Sequence, residues 1–206
     1  MPTVGAPTVG APAVGAREQM MFDRWFARRP PDDRSEEVYR RIVAQARRPE
    51  FYAAGGVPDS LDGRFEMLAL HLFLVLHRLQ RERGDPACAA LAQGLADRMA
   101  ADLDANLREM GAGDLGVGRR VKRMAGALYG RIAAYEAGID GGEAVLRQAI
   151  RRNLFGTVAP DEGQVAAMAR YVLAGHALLA ALPAAQLVRG AVDFPLPEPA
   201  GPAGKR

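Results

Sequence analysis

The sequence predicts an all-α protein with a single compact multi-helix domain and an additional segment at each end. Apolar residues recur at the three- and four-residue spacings of amphipathic helices from Asp33 to Leu182, and no segment alternates as a half-buried strand would. A chain of 206 residues is long enough for one sizeable core. We therefore expect a helical domain over residues 31–185, a disordered leader and linker over 1–30, and a Pro-rich tail over 186–206.

The leader begins with a five-residue repeat, MPTVGAPTVGAPAVGAR. It lacks the basic start and apolar core of a signal peptide, and its Pro and Gly residues prevent a stable helix. We expect residues 1–17 to be disordered and Met20 or Met21 to be the true start.

The net charge of +3 argues against a uniformly basic, nucleic-acid-binding surface, so any electrostatic footprint must be local. The single cysteine, Cys88, excludes an internal disulfide framework and is expected to be a small buried apolar residue. The longest apolar run, 67–76, is too short to span a bilayer. A cytoplasmic location is expected, with peripheral attachment at the inner membrane as the alternative.

The first helix is predicted at about 35–47, with Val38, Ile42 and Ala46 on its buried face. Pro49 is expected to end it, because the residue before a proline avoids the helical region. A loop follows, and its Val-Pro-Asp-Ser sequence is typical of a turn and helix cap. The next helix, at about 61–83, is apolar nearly all round over Leu68–Leu76 and should therefore be central.

Asp85-Pro86 predicts the start of an acidic helix, because proline is favoured at the first helical position. Its apolar residues are Cys88, Leu91, Leu95, Met99, Leu103, Leu107 and Met110. A glycine-rich turn at 111–118 leads into a basic helix at about 117–137. Two further helices are predicted at 143–155 and 161–182.

The basic helix contains no acid between Leu115 and Tyr135. Its basic residues are Arg119, Arg120, Lys122, Arg123 and Arg131. The stripe expected to face the core consists of Val117, Val121, Met124, Leu128, Ile132 and Tyr135. Gly126, Gly130 and Ala133 fall on the opposite side, where each glycine costs about 0.8–1 kcal/mol relative to alanine. Close approach of another helix and compositional drift both explain these glycines, and the alternatives stay open at this point.

The remaining candidates offer no constellation for catalysis or metal binding. His71 is expected to be a hydrogen-bonded core histidine, and His77 lies about 240° further round the same helix. His176 stands alone on a late helix. Asp102 and Asp104 point to different helix faces, so we expect them, with Glu109, to pair with arginines of the basic helix. We expect no enzyme activity, no metal, no cofactor and no small-molecule substrate.

Two stretches, VPDSLDGRFEMLALHLFLVLHRL and LREMGAGDLGVGRRVKRMAGALYGRIAAY, resemble the ubiquinol–cytochrome c chaperone family over about residues 36–182. The first motif comprises Pro58, Asp59, Gly63, Arg64, Phe65 and His71. The second comprises Asp102, Asp104, Leu107, Arg108, Glu109, Gly111, Gly113, Asp114, Leu115, Val117, Lys122, Met124, Tyr129, Gly130 and Arg131. On the residues alone, Arg64, Arg108 and Asp114 lie beside glycines and are expected to fix turns.

The resemblance implies a helical assembly chaperone that binds newly made cytochrome b in the biogenesis of the ubiquinol–cytochrome c reductase complex. A ribosome- or RNA-binding helical module is the alternative, and an anionic membrane surface is a further candidate partner. A small-residue helix face with basic edges could accept a client helix. The predicted client- or ribosome-facing site is Arg119, Arg120, Lys122, Arg123, Gly126, Tyr129, Gly130 and Arg131.

Overall fold

The computed structural model of the protein describes residues 33–109 and 114–197, with side chains described for 34–106 and 126–197. Every regular element in these ranges is a helix, which confirms the predicted all-α class. The helices are α1 (Asp33–Ala46), α2 (Pro49–Ala53), α3 (Leu61–Gln80), α4 (Pro86–Glu109), α5 (Asp114–Gly141), α6 (Glu143–Asn153), α7 (Glu162–Ala181) and α8 (Ala184–Val188).

Helix α3 forms the centre of the molecule, as its sequence predicts. It contacts α1, α4, α5 and α7, and its residues from Met67 to Leu76 are buried with the single half-buried exception of Leu68. Burying a leucine-sized side chain stabilises the fold by about 1.5–3 kcal/mol, so this helix dominates the hydrophobic stabilisation. Within the described part of the chain, no helix is long and apolar enough to cross a bilayer.

The first motif of the family resemblance builds the start of α3. The Ser60 side chain accepts a hydrogen bond from the Gly63 backbone N–H at 3.2 Å, which caps the helix. The Arg64 Nε donates to Asp59 Oδ1 at 2.7 Å across the same turn. A Cβ on Gly63 would lie 2.0 Å from the Pro58 carbonyl oxygen, so only glycine allows this close approach. The motif residues therefore fix the turn into α3.

Helix α7 is held at both ends by polar contacts. At its start Asp161 and Gln164 form a reciprocal capping box. At its end the buried Arg78 of α3 donates to the Leu179 carbonyl at 3.1 Å and the Leu182 carbonyl at 2.9 Å. Carbonyls in the last turn of a helix lack the regular backbone partners of the helix interior, and a cation also suits the negative end of the helix dipole. Arg78 therefore fastens α7 to the central helix.

The structure corrects two boundaries. Pro49 does not simply close the first helix: α1 ends at Ala46, and Pro49 occupies the first turn of the short helix α2, where its missing N–H costs nothing. The domain also extends past the predicted boundary at residue 185, through α8 and on to the buried Val192. Residues 198–206 of the tail lie outside the described residues, as do 1–32 of the leader.

Candidate functional site

The outward face of α5 carries small residues from Gly126 to Ala137, and the exposed Asp140 follows them one turn later. Gly126, Gly130, Ala133 and Ala137, which we call the small-residue face, are all exposed and recur at spacings of three and four. A Cβ added to Gly126 or Gly130 would meet nothing within 4 Å. Packing against the described part of the chain therefore requires neither glycine, although each costs helix stability.

The buried side of α5 follows the predicted stripe. Leu128 and Tyr135 are buried, and Ile132 packs half-buried against the core. Further along, a Cβ on Gly138 would lie 2.8 Å from the Leu146 Cα, so this third glycine lets α5 and α6 approach closely. The helix thus contains one glycine that serves packing and two for which the described residues show no packing role.

Most basic side chains of the predicted site lie outside the described residues. The backbone of Arg119, Arg120, Lys122 and Arg123 belongs to α5, in the turns before Gly126, but their side chains lie outside the described residues. The same holds for Asp114, for Arg108 and Glu109 at the end of α4, and for the apolar residues Leu107, Val117, Val121 and Met124. Met110, Gly111 and Gly113 lie wholly outside the described residues.

The Arg131 side chain is engaged within the fold. Its guanidinium donates through Nε and Nη2 to the Glu66 carboxylate and through Nη1 to the Ala127 carbonyl at 2.9 Å. Its Cζ also lies 5.2 Å from the centroid of the Phe65 ring. Arg131 therefore joins α5 to α3, while its neighbour Tyr129 is half-buried and Gly130 is exposed.

Glu66 is the residue that sequence reasoning missed at this site. Burial raises the pKa of the Glu66 carboxyl, and the hydrogen bonds and charge of Arg131 counteract that effect. A signal was present, because Glu66 is the only acid between Arg64 and Glu82. Buried carboxylates are rarely found without a partner, so this acid required one.

A cleft of about 350 Å³ opens beside this ion pair. Glu66 and Asp62 of α3, Ala127 and Arg131 of α5, and Arg152 at the end of α6 contribute to its walls. Because Ala127 and Arg131 each follow a glycine of the small-residue face, the cleft borders that face. The cleft and the small-residue face are therefore neighbouring features of α5.

His71 is fully buried and hydrogen-bonded, which confirms the predicted core histidine. Its Nδ1 lies 2.7 Å from the Met67 carbonyl, which can only accept, so Nδ1 carries the proton. Its Nε2 accepts from the Tyr171 hydroxyl at 2.7 Å. Burial lowers the pKa of His71 to about 4, so the imidazole is neutral at pH 7. Its role is structural.

His176 does not stand alone in space. Its ring centroid lies 5.3 Å from that of His77, and the His77 Nδ1 lies 3.6 Å from a Glu136 carboxylate oxygen. Burial lowers the pKa of His176, and the nearby His77 adds to this effect. Spacing along the sequence could not predict this juxtaposition, because α3, α5 and α7 each supply one residue. Among the described residues, no group of three or more His, Cys, Asp or Glu is arranged to hold a metal ion.

Asp102 has a partner on α1 that the sequence did not predict. Its carboxylate accepts a hydrogen bond from the Tyr39 hydroxyl at 3.0 Å, which joins α4 to α1. Pairing of Asp102, Asp104 or Glu109 with Arg119, Arg120 or Arg123 stays a prediction, because the side chains of these three arginines lie outside the described residues.

Comparison with known proteins identifies relatives of most of the helical region. The family described as Ubiquinol-cytochrome C chaperone matches residues 53–194. A curated relative from Xenopus laevis, Ubiquinol-cytochrome-c reductase complex assembly factor 1, is 24% identical over 125 residues. That match covers 60% of this chain and 60% of the relative, so the chain spans less than two thirds of the relative's length.

A solved structure is similar to this chain in both fold and sequence. It is titled Crystal structure of the Cbp3 homolog from Brucella abortus and matches with a TM-score of 0.72 at 36% sequence identity. The match covers 86% of this chain and 94% of that one. The family match ends at Phe194, which agrees with packed residues continuing beyond α8.

Proposed function

This chain belongs to the ubiquinol–cytochrome c chaperone family, and we propose that it is a non-enzymatic chaperone that binds newly made cytochrome b. In this proposal it assists biogenesis of the ubiquinol–cytochrome c reductase complex. The family and its relatives support an assembly chaperone for that complex. The observation that supports a binding role for this chain is the small-residue face of α5.

The small-residue face suits a helical client. Two exposed glycines with open space around them let another helix approach closely, and small residues allow tight helix–helix contact where hydrophobic driving force is weak. Cytochrome b, an integral membrane protein, offers such helices before it is assembled. In this proposal the two glycines allow close contact with a client helix, a role that no contact within the described part of the chain explains.

Charge provides the second part of the proposed recognition. Arg119, Arg120, Lys122 and Arg123 precede the small-residue face on the same helix. Short loops between client helices carry carboxylates, and lipid headgroups carry phosphates, and both would be attracted to this basic segment. The proposed site is therefore the small-residue face together with the basic turns before it.

A pull-down of the tagged protein from cells of the native organism tests the function. Mass spectrometry and a haem spectrum would identify what is captured, and we expect newly made cytochrome b lacking haem. Replacing Arg119, Lys122 and Arg123 with Glu should reduce capture. Gly126→Leu and Gly130→Leu should also reduce it, because a bulky side chain blocks close helix approach.

Ala177→Leu is the matched control, because Ala177 is an exposed small residue on α7. It should leave capture unchanged. Equal capture by the control and the α5 variants would keep the function but remove the proposed site. Ribosomal RNA and proteins recovered without cytochrome b, with binding that weakens steeply as salt rises, would favour the ribosome-binding alternative instead.

A further inference from the structure

A groove on the side formed by α1, α3 and α4 has an apolar floor and a volume of about 170 Å³. Its apolar lining consists of Val43, Ala46, Leu61, Phe65, Leu68 and Leu103. Leu61 is 51% exposed and is the most exposed large apolar side chain of the described helices. Arg47 and Asp102, of opposite charge, contribute polar groups to the same groove. The groove therefore has the features of a binding site for a short amphipathic segment: an apolar floor and charged groups beside it.

The chain itself supplies a segment of this kind just before α1. Residues 20–27 read MMFDRWFA and lie outside the described residues. With about 100° per residue, Met21, Phe22, Trp25 and Phe26 fall within one arc of about 140°. Asp23 and Arg24 fall on the other side and could meet the charged groups of the groove. The Gly/Pro repeat before this segment has no such pattern.

The connection between segment and groove is long enough. From Asp33 at the start of α1 to Val43 the helix rises about 15 Å, and to Ala46 about 20 Å. Asp33 follows Phe26 by seven positions, and seven steps of extended chain span about 23 Å. Pro30 and Pro31 favour such an extended connection. The segment can therefore fold back along α1 to reach the groove.

We propose that residues 20–27 dock into the α1–α3–α4 groove of the same chain as an amphipathic turn of helix. Trp25 and Phe26 cover Leu61, and the charged side of the segment faces solvent and the polar groups of the groove. Such a contact fastens the start of the helical domain to its central helix. It involves α1, α3 and α4 rather than the small-residue face of α5, so it is independent of the proposed function.

Intrinsic fluorescence of the full chain tests this proposal, because Trp25 is the only tryptophan. We expect native emission at shorter wavelength, and weaker quenching by acrylamide, than in the urea-unfolded chain. Leu61→Asp should return both readouts to the values of the unfolded chain. This variant should fold, because Leu61 is exposed at the start of α3 and an acid suits the positive end of a helix.

Leu178→Asp is the matched control, because Leu178 is a 41% exposed leucine on α7. It should leave the emission of Trp25 unchanged. Emission at long wavelength in the wild type would overturn the proposal, as would short-wavelength emission that persists in Leu61→Asp or disappears on dilution of the protein. Emission that shifts only when vesicles of anionic phospholipid are added would assign the segment to a membrane surface instead.

Discussion

At the scale of single residues, His71 joins the centre of the core to the end of the described chain. The Tyr171 hydroxyl that binds its Nε2 also accepts from Gln45 Nε2 at 2.9 Å, and Gln45 Nε2 lies 3.0 Å from the Pro195 carbonyl. The Phe194 ring lies against the imidazole with a centroid separation of 5.0 Å. A neutral His71 therefore supports a buried polar network that ties α1, α3, α7 and the chain end together.

This network predicts a specific acid sensitivity. Because burial lowers the pKa of His71 to about 4, the unfolded chain, with a histidine pKa near 6.5, binds the proton more tightly. His71 therefore contributes its full stabilisation above pH 6.5 and loses about 3 kcal/mol of it as pH falls to 4. Urea unfolding between pH 7 and 4 should show a shallower loss in His71→Asn than in the wild type. Parallel curves would contradict this role.

The Glu66–Arg131 pair predicts a cost for removing one partner. Arg131→Met should lower the free energy of unfolding at pH 7 by about 3 kcal/mol, because it leaves a buried carboxylate without its cation. Adding Glu66→Leu should recover part of that loss. Arg64→Met, at the exposed pair with Asp59, is the control and should change stability little. Additive losses in the double variant would argue against coupling between the two residues.

At the scale of elements, α5 contains glycines with opposite structural roles. Gly126→Ala and Gly130→Ala should each stabilise the fold by up to about 1 kcal/mol, because alanine is the better helix former and nothing obstructs its Cβ. Gly138→Ala should destabilise it, because the new Cβ would press on the Leu146 backbone. Chemical denaturation of the three variants measures these effects. A loss of stability in Gly126→Ala would show that its face is packed within the chain.

The sequence predicted the long helices well because periodicity is strong over many turns. The predicted helix at 143–155 is Glu143–Asn153, and that at 161–182 is Glu162–Ala181. The short helices α2 and α8 were missed, because five residues give too little periodic signal and Pro49 was interpreted only as a stop. Arg131 could be placed on α5 but not against Glu66, because their contact joins residues 65 apart in the chain.

At the scale of the whole molecule, the folded unit includes residues that composition assigned to the tail. Leu187 and Val192 are buried, and Phe194 packs against the core. A chain ending at residue 185 should therefore be less stable than one ending at 197 by several kcal/mol, since each buried side chain of this size contributes about 1.5–3 kcal/mol. Thermal unfolding of the two truncated proteins measures the difference. Equal midpoints would restore the boundary at 185.

We propose that the whole molecule holds a client helix on the small-residue face of α5. Site-specific photocrosslinking during synthesis of cytochrome b tests it most directly, with the photoreactive residue at position 126, 130 or 133 and, as a control, at the exposed Ala177 of α7. We expect adducts with newly made cytochrome b from the three α5 positions and none from position 177. Adducts from position 177 alone, or no cytochrome b adduct from α5, would contradict it.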